Sequence, residues 1–506
     1  MHPLVRLRTF AAVAVVCLVA AAVVGVLTTG GGPDDPPPAS TPAPAPDAGP
    51  RPALGGLFVP GYWAAPAAGA GVTLWLRNPG GRADTARLWY AGAQGAPRLL
   101  GTLQLPAGGS AVWQPGGDVE PGGLYVQPAD AGTRLEGVAT IVRVAQGGAK
   151  RIERVPAQPV VADGARRRLV VPVLHNANGT TASTLSVMNT SRGGRALAVR
   201  ITYRAPDGTE LHTDAVKLPW LGNAAGGFAE PRPELRGEKV VSAEITADGA
   251  IAALAEADDG AILLAHEGLR PAGGTRPAPL VMANNGGTSS AIQVHNSGEQ
   301  AARVLVTYDR NQAAAGPGGP PCPPPRPATR VVPPGGLAFI VQSGDAGDPG
   351  YDGSFRGCVY VGSARIQAGQ AIAAVVTQLG PRAGSAYATP HRFGEHEVSL
   401  PLVEANAGTV AGIEAQFESG QPGRVALAGG PNSASERPCA VDRVELDLAG
   451  PLILPGGPPF AGCDYTGPLR IRDPGTRLSV VCNQLLRPEQ GFSDGLATMA
   501  AAQEPS

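Results

Sequence analysis

Val171-Pro172-Val173-Leu174 leads through a Gly/Asn/Thr turn into Thr184-Leu185-Ser186-Val187-Met188-Asn189, and Pro279-Leu280-Val281 leads through a similar turn into Ala291-Ile292-Gln293-Val294-His295-Asn296. The two prolines and the two terminal asparagines stand at the same separation, so one segment repeats the other. Within each, apolar and polar residues alternate with period two, which places Leu185 with Val187, and Ile292 with Val294, on one face of a strand. Turn signals every ten or so residues, in units of about 100 residues, point to two-sheet β-sandwiches.

Working outward, the next strand recurs as Val199 to Tyr203 and as Val304 to Tyr308. A first copy is present in Pro60, Leu74-Trp75-Leu76-Arg77-Asn78 and Arg87-Leu88-Trp89-Tyr90, and a fourth opens with Leu400-Pro401-Leu402-Val403 and Gly412-Ile413-Glu414-Ala415. Near their ends the third and fourth copies share a further block, Phe355, Cys358, Tyr360, Gly362 and Ile366 against Phe460, Cys463, Tyr465, Gly467 and Ile471. Asn78, Asn189 and Asn296 end their strands just before Gly or Ser, where the side chain can cap a turn. The expected organisation is an all-β chain. A signal-anchor or transmembrane helix spans 1–29 and a Pro-rich linker 30–56. Sandwich repeats follow over 57–160, 161–272, 273–392 and 393–490, then a flexible tail over 491–506.

The pattern of an apolar strand ending in Asn, a Gly/Ser turn and a strand ending in Tyr resembles the immunoglobulin-like and adhesion-related repeats of bacterial surface proteins. The resemblance covers nearly all of the chain after residue 57, and implies tandem immunoglobulin-like β-sandwiches with no shared catalytic residues. The Pro-rich insertion from Gly316 to Pro327 departs from a standard unit.

Composition agrees with this reading. The 71 glycines and 52 prolines among 506 residues interrupt helices while leaving short strands intact. With 43% hydrophobic and 16% charged residues the body can build cores. A net charge of −1, with no basic run richer than Arg166 to Arg168, provides no footprint for nucleic acid. That triplet reads as a solvated linker between repeats. Arg6 and Arg8 precede the uncharged run Phe10 to Leu27, long enough to cross a bilayer, with no basic cluster after it. The expectation is a single-pass protein of the cell membrane with its C-terminal body outside the cytoplasm, Cys17 being a buried thiol of the anchor. Nine prolines between Gly30 and Pro52 make a semi-rigid stalk.

Candidate chemistry is sparse. His391 and His396, flanked by Glu395 and Glu397, lack metal-ligand spacing and read as a polar linker. Asp345, Asp348 and Asp352 lie in a Gly-rich loop that offers oxygens to calcium, yet they match no known loop spacing. No Gly-x-Ser-x-Gly, paired Cys and His, or phosphate loop stands in its required context. The expectation is no cofactor and no metal.

Oxidation outside the cytosol pairs Cys322 with Cys358 and Cys439 with Cys463. Cys482 remains as a small buried residue aligned with Thr377. Four of the five tryptophans fall in the first repeat, where Trp75 aligns with Ser186 and Gln293, and Trp89 with Thr202 and Thr307. Both rings should face outward, either as a binding face for a glycan or partner domain or as packing against an adjoining repeat. The function expected is a non-catalytic structural or adhesive surface protein, a rod of four sandwiches. A carbohydrate-binding or envelope-assembly module is the alternative, and a cell-wall hydrolase without a recognisable motif is the third possibility.

Overall fold

The hairpin turns between the first and second strands of three segments close on themselves through reciprocal backbone bonds, Asn178 with Thr181, Asn285 with Thr288 and Asn406 with Thr409. In the second segment the strands they join are Arg168–His175 and Ala182–Asn189. The computed structural model describes residues 55–500 except 94, 145–147, 149, 162–165, 310, 314–318, 344–352, 381–382, 407–408, 422, 431–436, 440, 442–443, 449–451, 455–462 and 487–494. The expected anchor, the linker up to residue 54, and Asp345, Asp348 and Asp352 lie outside the described residues. Among the described residues no helix is long and apolar enough to cross a membrane.

The sheets fall into four successive blocks, and Gly49–Ser506 forms one compact unit. In the second block, strands counted in chain order lie as 1-6-3-4 in one four-stranded sheet and 5-2-7-8 in another. The fourth block repeats that order. In the first, the two sheets are fused where Ala64 and Ala65 of the first strand pair with Gly71 and Ala70 of the second. In the third, one strand, Tyr360–Leu379, does the work of strands six and seven and runs through both sheets. Each block encloses one core, between two sheets in the second and fourth and within one continuous sheet in the first and third. In the second block, Leu169 and Val171 of one sheet meet Leu185 and Val187 of the other. An immunoglobulin constant domain sets strands 1-2-5-4 against 3-6-7. Here the first strand pairs with the sixth, a different connectivity.

Pro60, Pro172, Pro279 and Pro401 sit at one structural position. In all four blocks the pairing of the first strand with the sixth slips there, between Val59 and Tyr62, Val171 and Leu174, Ala278 and Val281, and Leu400 and Val403. Proline cannot donate to the ladder, so a bulge accommodates it. The repeated asparagines are fully buried. Asn296 donates to the carbonyls of Gln300, Val332 and Pro333 and accepts from the Gly298 amide. Asn189 does the same with Arg195, Leu218, Pro219 and Ser191. In the fourth block Phe417 stands in that place, paired with Leu478 as Asn296 is with Ile372.

The blocks join head to tail. Trp75, Ser186, Gln293 and Glu414 occupy one position on the second strand, in register with Val138, Leu254, Val375 and Val481 on the seventh. These residues point away from their own core into the preceding block. Leu254 joins the core of the first block, Val481 that of the third and Val138 that of the fourth. Val375 packs with Val170 and Leu269 of the second. The eighth strands touch around the whole circuit, Lys150–Pro156 meeting both Leu263–Glu267 and Gly495–Ala500, and Gly384–Ala388 meeting both as well. The body is therefore a closed ring, not the expected rod, because a heterologous interface used four times returns to its start. Ion pairs reinforce it, with Arg143 bound to Glu256 at 2.7 Å, Arg151 to Asp258 and Arg154 to Glu404.

Two further expectations change. Gly495–Ala500 pairs with Leu478–Leu486, so the fourth block continues into the segment expected to be a flexible tail. Its Ala-rich sequence holds a single β-branched residue, Thr498, a weak strand signal. Of Arg166 to Arg168, expected as a solvated linker, Arg166 is buried, whereas Arg167 and Arg168 are exposed and Arg168 pairs with Glu244 and donates to the Ser297 carbonyl.

Candidate functional site: the cleft where four blocks meet

The first strand of each block enters the ring beside its repeated proline, and the residue three positions earlier is Leu57, Leu169, Arg276 or Val398. Three of these four, Leu57, Leu169 and Arg276, line a cavity of about 110 Å³ whose wall is drawn from all four blocks. The eighth strands and the residues after them, including Ala157, Gly268 and Thr389, supply further wall. Four arginines, at 134, 166, 270 and 276, stand in the lining against two glutamates, 136 and 267.

Arg276 is the departure from the repeat. Its guanidinium is fully buried, and donates from Nη1 to the Thr389 carbonyl at 3.1 Å and from Nη2 to the carbonyls of Arg270 at 2.9 Å and Ile372 at 2.5 Å. Its Nε has no partner among the described residues, and no carboxylate pairs with it there. Burial draws its pKa down to about 10. A buried cation held by carbonyl dipoles alone is costly, and an anion in the cleft would offset that cost.

Glu136 is held differently. Arg77, itself buried, donates to Glu136 Oε2 at 2.7 Å and to Ser399 Oγ at 2.7 Å, while Ser399 Oγ donates to the same carboxylate oxygen at 2.7 Å. The three form a strap between the first and fourth blocks. The Glu136 carboxylate and the Ser399 hydroxyl are thereby engaged with each other and with Arg77.

No family model and no curated protein sequence matches the chain. The cleft must therefore be read from its own chemistry.

The residues singled out in the sequence are dispersed. Trp89 is 8% exposed in the contact between the first and second blocks, beside Phe58, Tyr125 and Met188, and its Nε1 donates to Gln127 at 3.0 Å. Trp75 is half-buried against the core of the fourth block. Both rings do face out of their own block, and on opposite sides, but neighbouring blocks cover them. Ser186 and Gln293, at the position of Trp75, are likewise buried at such contacts.

His391 lines the cleft, whereas His396 Nδ1 lies 3.2 Å from the carbonyls of both Asp473 and Thr476, and Glu397 pairs with Arg470. Among the described residues no group of three His, Cys, Asp or Glu side chains stands ready to hold a metal ion.

Disulfides join Cys322 to Cys358 and Cys439 to Cys463. Their positions are equivalent, since the Cys322 amide donates to Val359 and the Cys439 amide to Asp464, the residue after each partner cysteine. Cys482 is free and buried in the fourth core. It pairs with Ile413 as Val376 pairs with Ile292, so it takes the place of Val376, one residue away from the expected Thr377. Sequence reasoning missed Arg276. Its signal was available as the single charged residue in a repeat position otherwise filled by Leu, Leu and Val.

Proposed function

We propose that this chain is a membrane-anchored cell-surface protein with a structural or adhesive, non-catalytic role. In this reading four tandem sandwiches, immunoglobulin-like in architecture though not in strand order, are displayed outside the cytoplasm on a Pro-rich stalk. The observation that carries it is the head-to-tail contact repeated at all four junctions. Such a body has no free end at which successive blocks can hinge, a property that suits a rigid surface platform. The anchor and topology rest on the run Phe10 to Leu27 with Arg6 and Arg8 before it.

The cleft favours a second reading, a carbohydrate-binding or envelope-assembly module, because it is a concave site where all four blocks contribute wall. Protease applied to intact cells tests the first reading: the body should be removed, leaving a small protected anchor fragment. Survival of the whole chain until lysis would refute surface display. A glycan array probed with the body separates the second reading from a purely structural one.

A further inference from the structure

We propose that the cleft where the four blocks meet is a binding site for a small ligand bearing a carboxylate or phosphate group, with Arg276 as its fixed cation. The inference does not depend on where in the cell the chain resides.

Three observations carry it. First, the ring repeats one position four times and fills it with Leu57, Leu169 and Val398 in three cases, so the fold itself asks for an aliphatic side chain there. An arginine at the third copy spends burial energy that an aliphatic residue would have contributed to stability. Second, three carbonyls fix the guanidinium in place without neutralising it, leaving the Nε proton unmatched. Carbonyl dipoles orient a cation, and only an anion removes its charge. Third, the charge of the wall leans the same way. Arginines outnumber glutamates by four to two in the lining, Arg134, Arg166 and Glu267 having interactions of their own and Glu136 being committed to Arg77 and Ser399. Arg270 is exposed at the rim and its guanidinium makes no ion pair among the described residues, so it can close on the same anion. The forked guanidinium suits planar carboxylate and tetrahedral phosphate alike. The cavity holds the volume of several waters, room for one such group with the rest of the ligand toward the opening.

The test uses the purified full chain in detergent, with inorganic phosphate, glucuronate and neutral glucose as probes at matched ionic strength. At least one of the two anions is expected to raise the unfolding midpoint saturably and to give a calorimetric isotherm, while glucose does neither. Phosphate acting alone assigns a phosphate group, and glucuronate acting alone assigns a carboxylate. Arg276→Leu, which copies Leu57 and Leu169, should weaken binding by more than about tenfold. If that variant loses its cooperative unfolding transition, Arg270→Gln at the exposed rim takes its place and should weaken binding several-fold. Failure of both anions to bind, equal binding of glucose, or binding untouched by the substitution that folds would each overturn the proposal.

Discussion

Glu414 occupies the same place on its strand as Trp75, Ser186 and Gln293, yet it brings a carboxyl group into the contact between the third and fourth blocks. It is buried, with Gln312 donating to Oε1 at 3.1 Å and no partner for Oε2. Burial, aided by the charge of nearby Asp309, pushes its pKa from 4.5 up to about 8. The folded state therefore holds this proton across a range in which the unfolded chain has released it. Stability contributed by the protonated form is full below about pH 4.5 and falls as pH rises towards 8. Glu414→Gln should remove that loss, raising stability at pH 8 by about 4 kcal/mol and at pH 5 by less than about 1 kcal/mol. Thermal scans of both proteins across this range check the prediction. Opposite in sign are His266 and His295, whose buried rings are held down to about 4 and 3, and which weaken the fold as pH drops below 6.5. Comparing variant with wild type at each pH separates Glu414 from them. The tryptophans follow similar logic: Trp89→Thr, the residue found at 202 and 307, should cost about 3 kcal/mol because the ring fills a contact between blocks. Unchanged chemical denaturation would contradict that assignment.

At the scale of the element, much was legible because a strand's side chains alternate in sequence as they do in space. The inward Leu74, Leu76 and Leu88 are fully buried, the repeated asparagines tie down their turns, and both disulfides join the expected cysteines. What alternation did not reveal was the fate of the other face. Ser186 and Gln293 share the outward position of Trp75, yet both are buried, and polarity alone carries no record of a partner. Asn296→Ala should cost about 2–3 kcal/mol, since three carbonyls and one amide lose their partner in a buried turn. Urea titration of that variant against wild type measures it. Reduction of the two bridges should lower stability by about 2–4 kcal/mol each, mainly through the unfolded chain. Cys482 should resist alkylation in the native protein, because burial leaves it 1% exposed and raises its pKa to about 12. Rapid labelling of Cys482 before unfolding would place it elsewhere than the fourth core.

Closure belongs to the whole molecule. Four near-copies in tandem fit a rod as well as a ring, and the choice is made by the angle between successive blocks, which no single repeat encodes. The residues that set it are those facing the preceding block, Trp75 with Val138, then Leu254, Val375 and Val481. The first and last blocks meet through the strap of Arg77, Glu136 and Ser399, through the pair Arg154 with Glu404, and through Val138 seated in the fourth core. The cleft exists only because that contact closes, and for this reason Arg276 drew no notice in a strand-by-strand reading. Small-angle X-ray scattering from the body beginning at Gly49 tests closure most directly. A closed ring predicts a radius of gyration near the value for one compact body of that length, about 23 Å. A value roughly twice as large, with the pair-distance tail of an elongated particle, would mean that the four blocks form a rod and would contradict the account.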